Sequence, residues 1–140
     1  MQSATSLSAL GRARYVSLTT YRRTGEPVST PVWIAPDAGD RGILYALTMV
    51  GAGKLKRIRN NPSVTLAPCD FRGRVSAPPV AAVARILNVS EHGIADRALT
   101  KKYGLQKRAL DLYHYLGKGR RAYLAIESAA TSALPGELAG

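Results

Sequence analysis

A small antiparallel β-barrel with appended helices is the fold class this sequence predicts, and three observations predict it. Six short runs rich in β-branched and aromatic residues are separated by turns bearing Gly, Pro and Asp. The one long helical pattern, Glu91 to Leu116, is inserted before the last of those runs. A chain of 140 residues has room for one sizeable core and not for two independent ones.

The elements follow in order. SATSLSALG, residues 3–11, predicts a short opening helix with Ser or Thr caps and a terminal Gly. RYVSLTTY, from Arg14 to Tyr21, and VSTPVWIAP flank the turn RRTGEP and predict a β-hairpin. Pro31 inside the second run predicts an edge or bulge, because proline has no N–H to donate to a ladder. PDAGDRG is a turn and GILYALTMV a third strand. Lys54 to Asn60 predicts a helix, with Leu55 and Ile58 on one face and Pro62 ending it. SVTLAPC is a fourth strand and DFRGR a turn, and VSAPPVAAVARIL is a fifth, bent strand entered through its paired prolines. Gly104 breaks the helical stretch that follows, RRAYLAIE closes the fold, and residues 1–127 form one domain with a frayed tail over 128–140.

Composition narrows the partners. Twenty Lys and Arg against nine Asp and Glu give a formal charge of +11, which steers the chain toward anions: nucleic acid, acidic lipid or a phosphorylated cofactor. No apolar stretch approaches the roughly 18 to 20 residues of a membrane span, and MQSATSLSALGRARYV lacks the apolar core of a signal peptide, so a cytoplasmic protein is expected. The basic pairs are scattered and are not interleaved with aromatics on one sheet, which argues against a nucleic-acid platform. The single cysteine, Cys69, excludes an internal disulfide and is expected to pack. His92 and His114 have no carboxylate motif around them, so no metal site is expected.

The segment VGAGKLKRIRNNPSV carries the strongest chemical signal. It fails as a P-loop, with Leu55 after Gly53-Lys54 and Thr48 where the first glycine belongs, and as a dinucleotide fingerprint, with Lys56 at the third glycine. Two readings remain. One is a solvated basic helix face. The other is an anion site at a glycine-opened helix start, where Lys54 and Arg57, three apart, converge on an anion that also offsets the unfavourable placement of cations there. Trp33 reads either as a core or dimer-interface residue, or as the wall of a site for a flat aromatic ligand. In the second reading the backbone of Thr30 and Val32, freed beside Pro31, meets ring heteroatoms.

The order RYVSLTTYRRTGEPVSTPVWIAP, LYALTMVGAGKLKRIRNNPSVTLAPCDFRGR, then KKYG and the closing strand, resembles the flavin/deazaflavin oxidoreductase superfamily with the split β-barrel of pyridoxamine-phosphate oxidase. Within it the chain looks most like the branch using the deazaflavin coenzyme F420. The resemblance spans roughly residues 8–127 and implies a homodimer with the cofactor in a groove between subunits. It places Gly53, Lys54, Lys56 and Arg57 on the phosphate and acidic tail, with Thr48 nearby. Ser29, Thr30, Pro31, Val32 and Trp33 run along the ring system, and Ala67, Pro68 and Cys69 lie close to it. The implied reaction is hydride transfer from reduced F420 to a small organic substrate, with no catalytic side chain required because the cofactor carries the chemistry. FMN is the alternative cofactor, and an F420 carrier without turnover the alternative role. The fifth strand, SAPPVAAVARIL, departs from relatives in lacking an acidic residue, which leaves the substrate side open.

Overall fold

The computed structural model describes residues 7–39, 42–49, 52–115 and 121–129. Ser3 to Ser6 of the expected opening helix, Gly51, Leu116 and residues 130–140 of the expected tail lie outside the described residues. Six strands close into an antiparallel barrel: β1 (Tyr15–Tyr21), β2 (Pro27–Pro36), β3 (Leu44–Met49), β4 (Ser63–Cys69), β5 (Val80–Ile86) and β6 (Arg121–Ser128). Around the barrel they run β1-β2-β3-β6-β5-β4. Among the described residues four α-helices are attached: α1 (Leu7–Leu10), α2 (Gly53–Asn60), α3 (His92–Tyr103) and α4 (Leu105–Tyr115). None of the described helices is long and apolar enough to cross a membrane.

Strand alternation sorts the core into two clusters. Val16, Leu18, Val32, Ile34, Leu44, Ala46, Leu66, Leu124 and Ile126 fill the barrel, and Leu55 and Ile58 of α2 join that cluster as a plug. The opposite faces of β2, β3 and β6 carry Ala35, Tyr45, Tyr123 and Ala125, covered by Ala95, Ala98, Leu99 and Tyr103 of α3. β6 is therefore buried on both faces, which is why its sequence is almost continuously apolar. The fifth strand is shorter than expected. Val75 makes only an isolated bridge to Cys69, and regular pairing starts at Val80, after the two prolines that cannot donate.

Two polar seams hold the helices to the barrel. At Gly104 the chain turns with φ +55°, ending α3 as the sequence predicts. Beyond the turn, the Lys107 ammonium is fully buried and lies 2.6 Å from both Asp96 and Asp111, and Arg121 lies 2.6 Å from Asp111. Tyr123 donates to Asp96 at 2.9 Å, and burial pushes its phenol up to about 12. The second seam lies where the β1–β2 ladder stops at Val16↔Val32. There the Tyr103 hydroxyl accepts from the Ile34 N–H at 3.0 Å and faces the carbonyls of Arg14 and Ile34 at 2.8 and 3.0 Å. Lys102 donates to the carbonyls of Ala13 and Ile34.

Candidate functional site

The β2–β3 pairing covers only Trp33 to Pro36, so the first half of β2, from Pro27 to Val32, is bonded to β1 alone among the described residues. Pro31 sits in that half, opposite Ser17 of β1, and the edge predicted from the sequence is where the barrel opens. Two features flank the opening.

The first is a cradle at the start of α2. Its N-cap position is Ala52, which makes no side-chain cap, and its first turn holds no acidic residue. Ala52 thus caps no first-turn N–H with a side chain, although the Leu55 N–H bonds the Ala52 carbonyl at 3.1 Å, and the helix start keeps its partial positive charge. Lys54 Nζ reaches Thr48 Oγ1 at 3.4 Å, and Arg57 Nε donates to the buried Thr20 Oγ1 at 2.6 Å. Arg57 folds back over the helix start so closely that a Cβ at Gly53 would lie 2.8 Å from its Nη1. Burial and, next, the Arg57 charge hold the Lys54 ammonium below the usual lysine range. Two cations converging with no counter-charge among the described residues make a place where an anion relieves both repulsion and desolvation.

The second feature is an apolar cleft of about 330 Å³ lined by Tyr15, Pro31, Val32, Trp33, Leu47 and Phe71. Trp33 pairs with Leu47 across the β2–β3 ladder, and its ring lies flat on Tyr103, 4.4 Å between centroids and 11° between planes. The stack fixes one face of the indole and leaves the cleft a rigid apolar wall. Leu47 lines the cleft and Thr48 the cradle; as consecutive residues of β3 they leave opposite faces of the strand, at the point where its pairing with β2 ends. Thr30, on the open half of β2, has a buried hydroxyl oxygen with no partner among the described residues.

The structure thus brings Thr48, Gly53, Lys54 and Arg57 together, and Pro31, Val32 and Trp33 together. It separates others. Lys56 is exposed on α2, away from the Lys54–Arg57 pair. Ser29 is exposed and bonded to Thr19 at 2.6 Å. Pro68 and Cys69 belong to β4, opposite Val16 and Tyr15, so Cys69 pairs with a residue of the cleft without lining it. Burial, then the neighbouring Asp70, raises the Cys69 thiol above its ordinary range, which disfavours the thiolate. Sequence reasoning missed Thr20. The signal was present, since Thr20 shares the inward parity of Val16 and Leu18, and a hydroxyl on a buried face needs a partner.

A family model described as pyridoxamine 5'-phosphate oxidase matches residues 5–131. Among solved structures, a conserved hypothetical protein from Mycobacterium tuberculosis superposes with a TM-score of 0.63 at 17% identity, covering 88% of this chain and 78% of that one. An F420 reductase superposes with a TM-score of 0.57 at 19% identity, covering 87% of this chain and 91% of that one. A pyridoxamine 5'-phosphate oxidase-related, FMN-binding protein from Nostoc punctiforme gives a TM-score of 0.57 at 16% identity, covering 87% and 74%. At these identities the likeness is one of fold. No curated protein matches the chain in sequence.

Proposed function

The chain belongs to the pyridoxamine 5'-phosphate oxidase family, and from that premise we propose that it is an oxidoreductase that binds the deazaflavin coenzyme F420 at the opening between β2 and β3. The observation that carries the reading is a rigid apolar cleft and a doubly cationic helix start that both lie where the β2–β3 pairing ends. A flat ring joined to a phosphate has that same division of chemistry. Two details of the structure fit such a ligand: the Arg57 guanidinium lying over the Cβ-less Gly53, and the orphaned hydroxyl of Thr30.

In this reading Lys54, Arg57 and the first-turn N–H groups of α2 hold the phosphate. Thr20 anchors the Arg57 guanidinium and Thr48 steadies Lys54. Trp33, Val32, Pro31 and Leu47 orient the ring and exclude water from it, and Thr30 supplies a hydroxyl toward its polar edge. Reduced deazaflavin supplies hydride to a small organic substrate, and the protein's share is binding, orientation and dryness. Phe71 and Val75, 66% and 54% exposed beside the cleft, support completion of the groove by a second copy of the chain.

Side-by-side titrations with F420 and FMN test the reading. Saturable quenching of Trp33 fluorescence together with a rise in F420 polarisation is the expected result. Retention of FMN with no response to F420 would replace the deazaflavin assignment with a flavin one, and silence toward both would remove the cofactor reading.

A further inference from the structure

The last pair of the β1–β2 ladder sets Val16 opposite Val32. Continued by two residues, the same register would set Tyr15 opposite Trp33 and Arg14 opposite Ile34, and an unbroken ladder would join the Ile34 N–H directly to the Arg14 carbonyl across about 2.9 Å. The Tyr103 hydroxyl stands in that rung instead. It accepts from the Ile34 N–H at 3.0 Å and faces the Arg14 carbonyl at 2.8 Å. A second side chain of the same helical turn fills the companion position, where the Lys102 ammonium donates to the Ile34 carbonyl at 2.6 Å and also to the Ala13 carbonyl. Both main-chain groups of Ile34 are thus taken by the end of α3.

A hydroxyl cannot enter a rung without parting the strands, and the parting falls where the cleft begins. Tyr15 and Trp33 lie between the last pair and the inserted side chains, and both line the cleft. By strand alternation they leave the outer face of the barrel, since Val16, Val32 and Ile34 belong to its core. Each is anchored to a different neighbour, Tyr15 to Cys69 of β4 and Trp33 to Leu47 of β3. What fixes the gap between them is the inserted pair.

We propose that Lys102 and Tyr103 are positioning residues for the bound ring, a two-pronged wedge that holds β1 and β2 apart and so sets the separation of Tyr15 and Trp33; this rests on the F420 reading above. Neither prong is among the residues lining the cleft. Packing against Trp33 needs only the Tyr103 ring, which lies 4.4 Å from the indole between centroids, and a phenylalanine would supply it. The hydroxyl is what the wedge adds. Burial raises its pKa above the ordinary tyrosine range, so it stays neutral and can both accept and donate.

Tyr103→Phe keeps the stack and removes the hydroxyl. A crystal structure of the ligand-free variant is expected to show the Ile34 N–H bonded directly to the Arg14 carbonyl and the Trp33 ring moved toward Tyr15. The emission of Trp33, the only tryptophan in the chain, is expected to shift with it. Binding is then read with F420 and with its phosphate-free deazaflavin chromophore. Both are expected to lose about fivefold or more in affinity, because a ring forced into a narrowed cleft is overpacked, while the ratio between the two, which reports the cradle, keeps its wild-type value. Unchanged strand spacing in the variant, or wild-type affinity for both ligands, would overturn the wedge. A ratio that falls along with the affinities would overturn it too, by showing general loosening in place of positioning. Silence of the wild type toward both ligands would instead remove the F420 reading, and the ligand-free structure would still decide whether the wedge parts the strands. If Tyr103→Phe does not fold, Lys102→Met removes the other prong with the stack in place and is read in the same way.

Discussion

Gly53→Ala is expected to separate cofactor binding from stability. The position is helical, with φ outside the left-handed region, so alanine fits the backbone and should gain about 0.5–1 kcal/mol from helix propensity. The new methyl would stand 2.8 Å from Arg57 Nη1, and that atom is the free end of a long side chain, so the guanidinium moves and the backbone does not. Moving it strains or breaks the Arg57–Thr20 hydrogen bond, at a cost of about 0.5–1.5 kcal/mol, so net stability stays within about 1 kcal/mol of wild type. Binding has no such offset. The methyl pushes the Arg57 guanidinium off the helix start and so removes a charge-assisted hydrogen bond to the phosphate worth about 1.5–3 kcal/mol, a loss of roughly 10- to 150-fold in F420 affinity. Urea denaturation and fluorescence polarisation read the two quantities on the same preparations. Undiminished affinity, or stability lower by more than about 2 kcal/mol, would refute the reasoning.

Lys54→Ala is expected to weaken F420 binding by at least about 1.5 kcal/mol. Because the Lys54 pKa is depressed, wild-type affinity should fall as pH rises while still below the ordinary lysine value of 10.5, and the variant should lack that component. Lys102 gives a stability signature: its folded pKa of about 8 lies below the ordinary 10.5, so the unfolded chain binds more protons between those values. Its contribution to stability should therefore rise with pH from about 8 and level off near 10.5, and urea titrations of Lys102→Met should lack this rise. Lys107→Met strands Asp96 and Asp111 beside Arg121. Since both carboxylates are partly exposed, the loss is expected at about 2–3 kcal/mol by chemical denaturation, and a loss under 1 kcal/mol would show the cluster to be dispensable.

Local chemistry made most elements legible in the chain. SVTLAPC alternates and is bounded by Pro62 and the DFRGR turn, and it is the strand Ser63–Cys69; the α2 start differs by one residue, Gly53 in place of Lys54. The strand order was not legible. Pairing of β1 with β4 and of β3 with β6 depends on how the two clusters share faces, which no local window encodes. The same limit applies to the site. Lys54 and Arg57 stand out because three-residue spacing brings them together on a helix, whereas Thr20 meets Arg57 only after β1 passes under α2. Lys56 shows the converse: it shares the basic run but turns to solvent, because the helical period carries it off the face that holds its neighbours. The fifth strand was read too long because its apolar composition hid the prolines' inability to pair.

The seam at Ile34 has a consequence for how the barrel assembles. The hydroxyl of Tyr103 stands in for the rungs missing between β1 and β2, and it joins residues 69 and 89 positions apart in the chain. Ordering a loop of that length costs entropy before any contact offsets it, and closures of this kind slow folding. The β1–β2 hairpin forms from neighbours in sequence, but the end of its ladder is completed only when α3 docks. The inserted helix thus completes a ladder that the hairpin leaves short, and the position of Trp33 depends on its docking.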